Sequence, residues 1–170
     1  MSSRTAWTAG NGNSGAGLTW TAAFNSTDFT GAQPTNGQSL LSTITISNGS
    51  NFDQFMDVGF IQTISSSTIA QGANFSLWIC SLKPDGSTYF PPLTAGTAAS
   101  LVPPWAPCAV IPLFAATAQT TLVGSTADTG TPIILPPGTF KLIVQNNCGF
   151  TLTSSTQTWD YRTYNINLNS

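Results

Sequence analysis

The stretch Ile133–Phe150, IILPPGTFKLIVQNNCGF, constrains the fold of this chain more than any other. Pro136 and Pro137 carry no backbone N–H and cannot donate to a β ladder, while Gly138 supplies the freedom that a tight turn needs. Beyond the turn, Phe140, Leu142 and Val144 fall on one face, and Lys141, Ile143 and Gln145 on the other. Period-2 alternation of β-branched and aromatic residues predicts a half-buried strand. Asn146, Asn147 and Gly149 close it with residues that tolerate left-handed turns. A hairpin is therefore expected, with Ile133–Leu135 as its first arm and the other apolar runs as its partners.

Those runs read as strands. Leu18, Trp20, Ala22 and Phe24 alternate with polar or small residues; Leu40, Ser42, Ile44 and Ile46 do the same and stop at Asn48-Gly49. Phe55–Ile64 places Met56, Val58 and Phe60 on one face, with Gly59 as a candidate bulge. A short strand is expected at Thr68–Ala70. Ala73–Leu82 is apolar on both faces, with Phe75, Leu77 and Ile79 opposite Trp78, Cys80 and Leu82. Such a strand is either central in a sandwich or covered on its second face by another subunit. Cys108–Ala115 contains Pro112 and suits a sheet edge; Gln119–Gly124 and Thr158–Leu168 complete the set. In the last, Asp160 and Arg162 share a face and form a candidate ion pair. About eight strands with turn signals and almost no helical periodicity predict an all-β fold, a two-sheet antiparallel sandwich of jelly-roll type.

Two segments escape this pattern. Residues 1–16 form a Gly-, Ser- and Asn-rich arm with Trp7 as its one aromatic, ahead of a sandwich domain at 17–170. Ordering such an arm is entropically costly, so a neighbouring subunit is the expected holder. Residues 83–107 open on a Lys83-Pro84-Asp85-Gly86 turn and continue as a long Pro-rich loop, with a short helix expected around Thr97–Leu101. Tyr89, Phe90, Leu93 and Trp105 make this loop too apolar to be left loose. With Trp7, these four are the candidate interface residues.

Charge decides what the chain can do. Only 6% of the 170 residues are charged, against roughly 25% in ordinary domains. Four Lys and Arg cannot neutralise a phosphate backbone or hold a polybasic membrane contact, so nucleic acid and membrane are not expected partners. The N-terminus has no apolar core of a secretory leader, and no apolar run reaches the roughly 20 residues of a membrane span. A surface made of Ser, Thr, Asn and Gln is better explained if companions cover much of it.

The inventory for chemistry is thin. The chain has no histidine, and its six acidic residues are all aspartate. Ser–His and Cys–His nucleophiles are thereby excluded. Neither Lys83 nor Lys141 sits in an SxxK setting. Asp53 and Asp57 are the closest carboxylates, and turn or surface roles are expected for them. Three cysteines without CxxC spacing suggest neither a disulfide framework nor a zinc site, a Cys108–Cys148 bridge remaining open. Asn25, Asn48 and Asn74 match the glycosylation pattern by chance in an Asn/Ser-rich chain. No enzyme, cofactor or metal is expected. A structural subunit and a glycan-binding module, with Trp7, Trp105, Tyr89 or Tyr161 stacking on sugars, are the two remaining readings.

LPPGTFKLIVQNNCGFTLTSS followed by YRTYN resembles the endings of small β-sandwich virion proteins of tailed bacteriophages. The likeness covers Ile133–Asn165, with Cys148 standing where serine would be expected. It implies a capsid decoration (cement) protein on the virion exterior, made in the host cytoplasm. Its implied partners are its own copies, as a homotrimer, and the major capsid protein. A tail or fibre component is the alternative.

Overall fold

The computed structural model describes residues 5–9, 19–29, 34–50, 52–64, 68–89, 93–114 and 121–168. Twelve strands lie among them: β1 (Thr5–Ala9), β2 (Thr21–Ala22), β3 (Ser39–Leu41), β4 (Ile46–Asn48), β5 (Phe55–Ile64), β6 (Asn74–Ser81), β7 (Ala98–Ala99), β8 (Ala109–Pro112), β9 (Thr121–Ser125), β10 (Ile133–Ile134), β11 (Gly138–Asn147) and β12 (Leu152–Leu168). They form two antiparallel six-stranded sheets that face each other as a sandwich. Sheet A runs β1-β12-β5-β10, with β2 also on β12 and β9 also on β5. Sheet B runs β7-β3-β11-β6-β8, with β4 also on β11. The all-β sandwich is the fold that alternation predicts. The count exceeds eight because several connectors pair over only two or three residues.

The alternation of β11 places Phe140, Leu142 and Val144 in the main core, fully buried, as its pattern requires. The expected hairpin is absent, however. Ile133–Ile134 pairs with β5 in sheet A, whereas β11 belongs to sheet B. Two prolines in succession leave nothing to donate across a hairpin, so the chain turns a corner between sheets instead. Gly138, at φ 92°, takes the positive backbone angle of that corner. The side-chain amide of Asn48 secures it, Nδ2 donating to Pro136 O and Asp53 O while Oδ1 accepts from Asp53 N.

Other expectations shift in detail. The run Leu40–Ile46 is not one strand but β3 and β4, both on β11. The ladder breaks because Thr43 N is drawn to the buried carboxylate of Asp28, and Ser42 Oγ donates to Ala23 O. Leu18–Phe24 shrinks to Thr21–Ala22; Ala23 and Phe24 dive into the core, and Leu18 lies outside the described residues. Thr68–Ala70 contributes only an isolated bridge residue, the buried Ile69. Thr97–Leu101 is no helix: Ala98 and Ala99 pair with β3 as β7. Gly59 makes no bulge and keeps register with Asp160 and Ser125. Its missing side chain makes room for Trp20, whose indole would lie 3.1 Å from a Cβ there. β8 sits at the edge of sheet B, where Pro112 costs no ladder bond.

The core gathers around Trp159 of β12. Its ring stacks on Phe60 at 4.8 Å within sheet A and meets Phe75 of sheet B edge-on at 5.2 Å. Phe24 and Phe29, brought in by a 3-10 turn at Ser26–Phe29, close the cluster at 5.8 and 6.2 Å. The indole N–H donates to the buried Gln62 Oε1 at 3.1 Å, so no donor is stranded. Trp159→Ala opens a cavity between the sheets and is expected to cost about 3–5 kcal/mol. Trp20→Ala, on the solvent side of the same sheet, is expected to cost less than about 1.5 kcal/mol. Urea midpoints of the two variants check the difference.

Candidate functional site

The two outer faces of the sandwich are finished differently. On sheet B, Leu41, Trp78, Cys80 and Ile143 form a second buried cluster, and residues of the 83–107 loop lie over it. Leu93 is buried there, with Tyr89 and Ala95 packed alongside. A bridge between Leu82 and Tyr89, a hydrogen bond from Gly96 N to Leu41 O and another from Trp78 Nε1 to Trp105 O hold the loop down. The apolar second face of β6 is therefore covered by the chain's own loop, from a strand central in its sheet.

Of the candidate interface residues, Leu93 is a packing residue of this cluster and Tyr89 is half-buried beneath Lys141, whose Nζ lies 5.2 Å from its ring centroid. Trp105 remains 36% exposed, and Leu101 and Val102 of the same loop and Val110 of β8 are exposed as well. Phe90 lies outside the described residues. Trp7 lies on β1 in register with Ile166, which makes residues 5–9 an edge strand of sheet A.

The outer face of sheet A is covered in part: Asp57 and Tyr164 are buried there, while several apolar side chains stay exposed. At one end stand Phe52 and Ile134, 65% and 76% exposed. Phe52 has φ 50°, an angle a bulky side chain rarely adopts and that costs of order 1–3 kcal/mol. The Asn48–Asp53 hydrogen bonds hold the backbone immediately beyond it.

In the middle of the face, Arg162 lies opposite Asp57 across the β5–β12 ladder. Its Nε and Nη2 both donate to Asp57 Oδ2, at 3.0 and 2.9 Å, and Tyr164 OH donates to Oδ1 at 3.2 Å. Arg162 thus pairs across strands rather than with Asp160. Directly opposed residues on antiparallel strands come closer than i, i+2 neighbours on one strand. Asp53 and Asp57 are buried, contrary to the surface role expected, and Asp28 is buried too, because each carboxylate ties together segments apart in sequence.

Beyond Arg162 lies a pocket of about 360 Å³, walled by Trp20, Ile61, Val123, Asp128, Thr158 and Asp160. The guanidinium of Arg162 sits 4.6 Å from the Trp20 ring centroid. Asp128 belongs to a 3-10 turn, Thr126–Thr129, capped by Ser125 Oγ and closed at Gly130. Burial lifts the Asp160 carboxyl above its ordinary value. Composition alone did not mark this site; only the Trp20–Gly59 contact assembles it, and those residues stand 39 positions apart in the chain.

Cys108 and Cys148 are not joined, so the bridge left open between them does not form. Among the described residues, no group of three or more His, Cys, Asp or Glu could hold a metal, and no helix is long and apolar enough to cross a membrane. Burial pushes the Cys108 thiol up to about 12. Burial, followed by the negative charge of Asp57, raises the Tyr164 phenol to about 12.

Comparison with family models, with curated proteins and with solved structures found no match.

Because the native state holds these two protons more tightly than the unfolded chain, their stabilising effect is complete below the ordinary values of 9.0 and 10.0. It is lost as pH rises toward about 12. Urea midpoints are expected to hold to pH 9 and fall steadily above it, and a Cys108→Ala/Tyr164→Phe double variant to fall less. The folded protein is also expected not to react with a thiol reagent at Cys108 near neutral pH.

Proposed function

We propose that the chain is a non-enzymatic virion structural protein, a capsid decoration (cement) subunit. It clamps neighbouring major capsid protein subunits and associates with its own copies as a homotrimer on the capsid exterior. The observation that carries the reading is the pair of apolar surfaces left exposed on opposite sheets of a chain with so few charges. One is the Phe52–Ile134 end of sheet A; the other, on the side of sheet B, consists of Trp105 and Val102 of the loop and Val110 of β8. A clamp needs two separate contact surfaces, and exposed apolar patches on a soluble fold mark interaction sites. The likeness of Ile133–Asn165 to phage virion sandwiches supports the same reading.

The mechanism is mechanical. A rigid sandwich bridging two shell subunits must be released from both before the shell can part there. Interfaces of this kind bury on the order of 1,600 Å², and repetition over the shell adds avidity. Phe52 is presented in advance by a strained backbone, which spares the loop ordering that binding otherwise costs.

Particles lacking this chain are expected to assemble but to rupture at lower temperature and under milder osmotic shock; rupture at unchanged thresholds rejects the cement role. Phe52→Gly relieves the positive φ and is expected to leave stability unchanged or raised by up to about 1 kcal/mol. The same variant is expected to bind particles at least about tenfold more weakly. Ile134→Asp is expected to weaken binding likewise with little effect on the urea midpoint. Co-sedimentation with stripped particles reads both.

A further inference from the structure

The pocket at the far end of sheet A's outer face is unexplained by a clamp. Phe55 and Ile61 stand six positions apart on β5, about 20 Å at strand spacing. A partner seated on Phe52 and Ile134 therefore leaves the Trp20 pocket open. We infer that this pocket is a binding site for a neutral saccharide of one or two rings, stacked on Trp20 and hydrogen-bonded by Asp128 and Asp160.

Three observations on the pocket lead there. First, Trp20 is a platform set before any ligand arrives. Its ring is fitted over Gly59 and flanked by the Arg162 guanidinium, which is itself held by Asp57, and yet it stays 38% exposed. An amphipathic ring fixed in this way loses little entropy on binding and suits the C–H face of a sugar. Ile61 and Val123, paired across β5 and β9, extend the same apolar floor.

Second, Asp128 and Asp160 are acceptors without donors. Among the described residues neither carboxylate has a hydrogen-bond or ion-pair partner, in contrast to Asp57 and Asp53. Partial burial of Asp160 makes that lack costly, and a ligand bringing O–H groups would offset it. A carboxylate accepts two hydroxyls at once, and such charge-assisted bonds are about twice as strong as neutral ones. Thr158 adds a hydroxyl at the same rim.

Third, the lining selects the ligand's charge. No Lys or Arg is among the pocket's lining residues, and the Arg162 guanidinium beside Trp20 is already paired with Asp57, so phosphate and carboxylate ligands meet the uncompensated charge of Asp128 and Asp160. A basic side chain is disfavoured because Arg162 already lies against the same indole. What remains is a neutral, hydroxyl-rich ring with one apolar face. The volume of about 360 Å³ stands at the small end of ligand pockets, which run from about 300 to 1,000 Å³.

Titration of the isotope-labelled full chain tests this, with neutral mono- and disaccharides (glucose, galactose, mannose, N-acetylglucosamine and their dimers) and with arginine amide as the cationic probe. At least one saccharide is expected to shift the Trp20 indole N–H resonance saturably at millimolar concentration, leaving Trp159 unmoved. Trp20→Ala and Asp160→Asn are each expected to weaken that binding at least about tenfold. Asp160→Asn alone decides the matter should Trp20→Ala not fold. No saturable shift from any saccharide at concentrations on the order of 50 mM, far above ordinary weak affinities, overturns the inference. A response to arginine amide alone overturns it too, assigning the pocket to a basic side chain. The purified protein suffices for every arm, so the result is independent of capsid docking.

Discussion

Everything else in the molecule rests on the indole of Trp159. It touches both sheets and the Phe24–Phe29 segment that closes the gap between them. Phe60 supplies its neighbour within sheet A, Phe75 the contact from sheet B, and Phe24 and Phe29 the cap. Stacked and edge-on rings at these separations add specific geometry to the plain burial of apolar area. The bond from the indole to Gln62 matters as much, because both polar groups are removed from water. Buried unpaired, either would cost about as much as the aromatic contacts return. The burial of Phe24 and the pairing of Trp159 with Phe60 across the β5–β12 ladder both meet at this ring.

Scarcity of charge shapes what lies outside that core. With ten ionisable Lys, Arg and Asp residues in all, the chain uses its buried aspartates for construction. Asp57 ties β5 to β12 through Arg162 and Tyr164, and Asp28 gathers backbone donors from Asn25 and Thr43. Asn48 does similar work at the corner between the sheets. The rest of the polar surface falls to neutral hydroxyls and amides, between which apolar side chains stand exposed. The 83–107 loop removes one apolar face from water. The other face keeps Ile134, Val123, Phe52 and Trp20 exposed.

Several readings of single segments failed for one shared reason. Pro136-Pro137-Gly138 looks like a hairpin turn because its chemistry is that of any reversal, yet the two flanking strands join different sheets. Asp160 and Arg162 look like a pair because they share a face, yet Arg162 finds Asp57 directly across the ladder. Leu40–Ile46 looks continuous, yet a carboxylate 15 residues earlier in the chain pulls Thr43 out of register. Gly59 looks like a bulge, yet its purpose is to admit Trp20. Each outcome turns on a partner remote in sequence, to which local alternation is blind.

The amino-acid pattern by itself determined the class of fold: alternating faces, Gly/Asn/Pro punctuation and missing helical periodicity leave only packed antiparallel sheets. It also determined the two-faced character of β6, the edge placement of Pro112 and the core face of β11, since each follows from the period-2 geometry of a strand. Which sheet a strand joins, which loop seals which face, and which aspartate meets the one described arginine were decided only in three dimensions. Those choices depend on long-range contacts whose energies exceed local preference. The Trp20 pocket belongs with them, for its walls come from β2's approach, β5, β9 and β12, and no single stretch of the chain holds enough of it to be read.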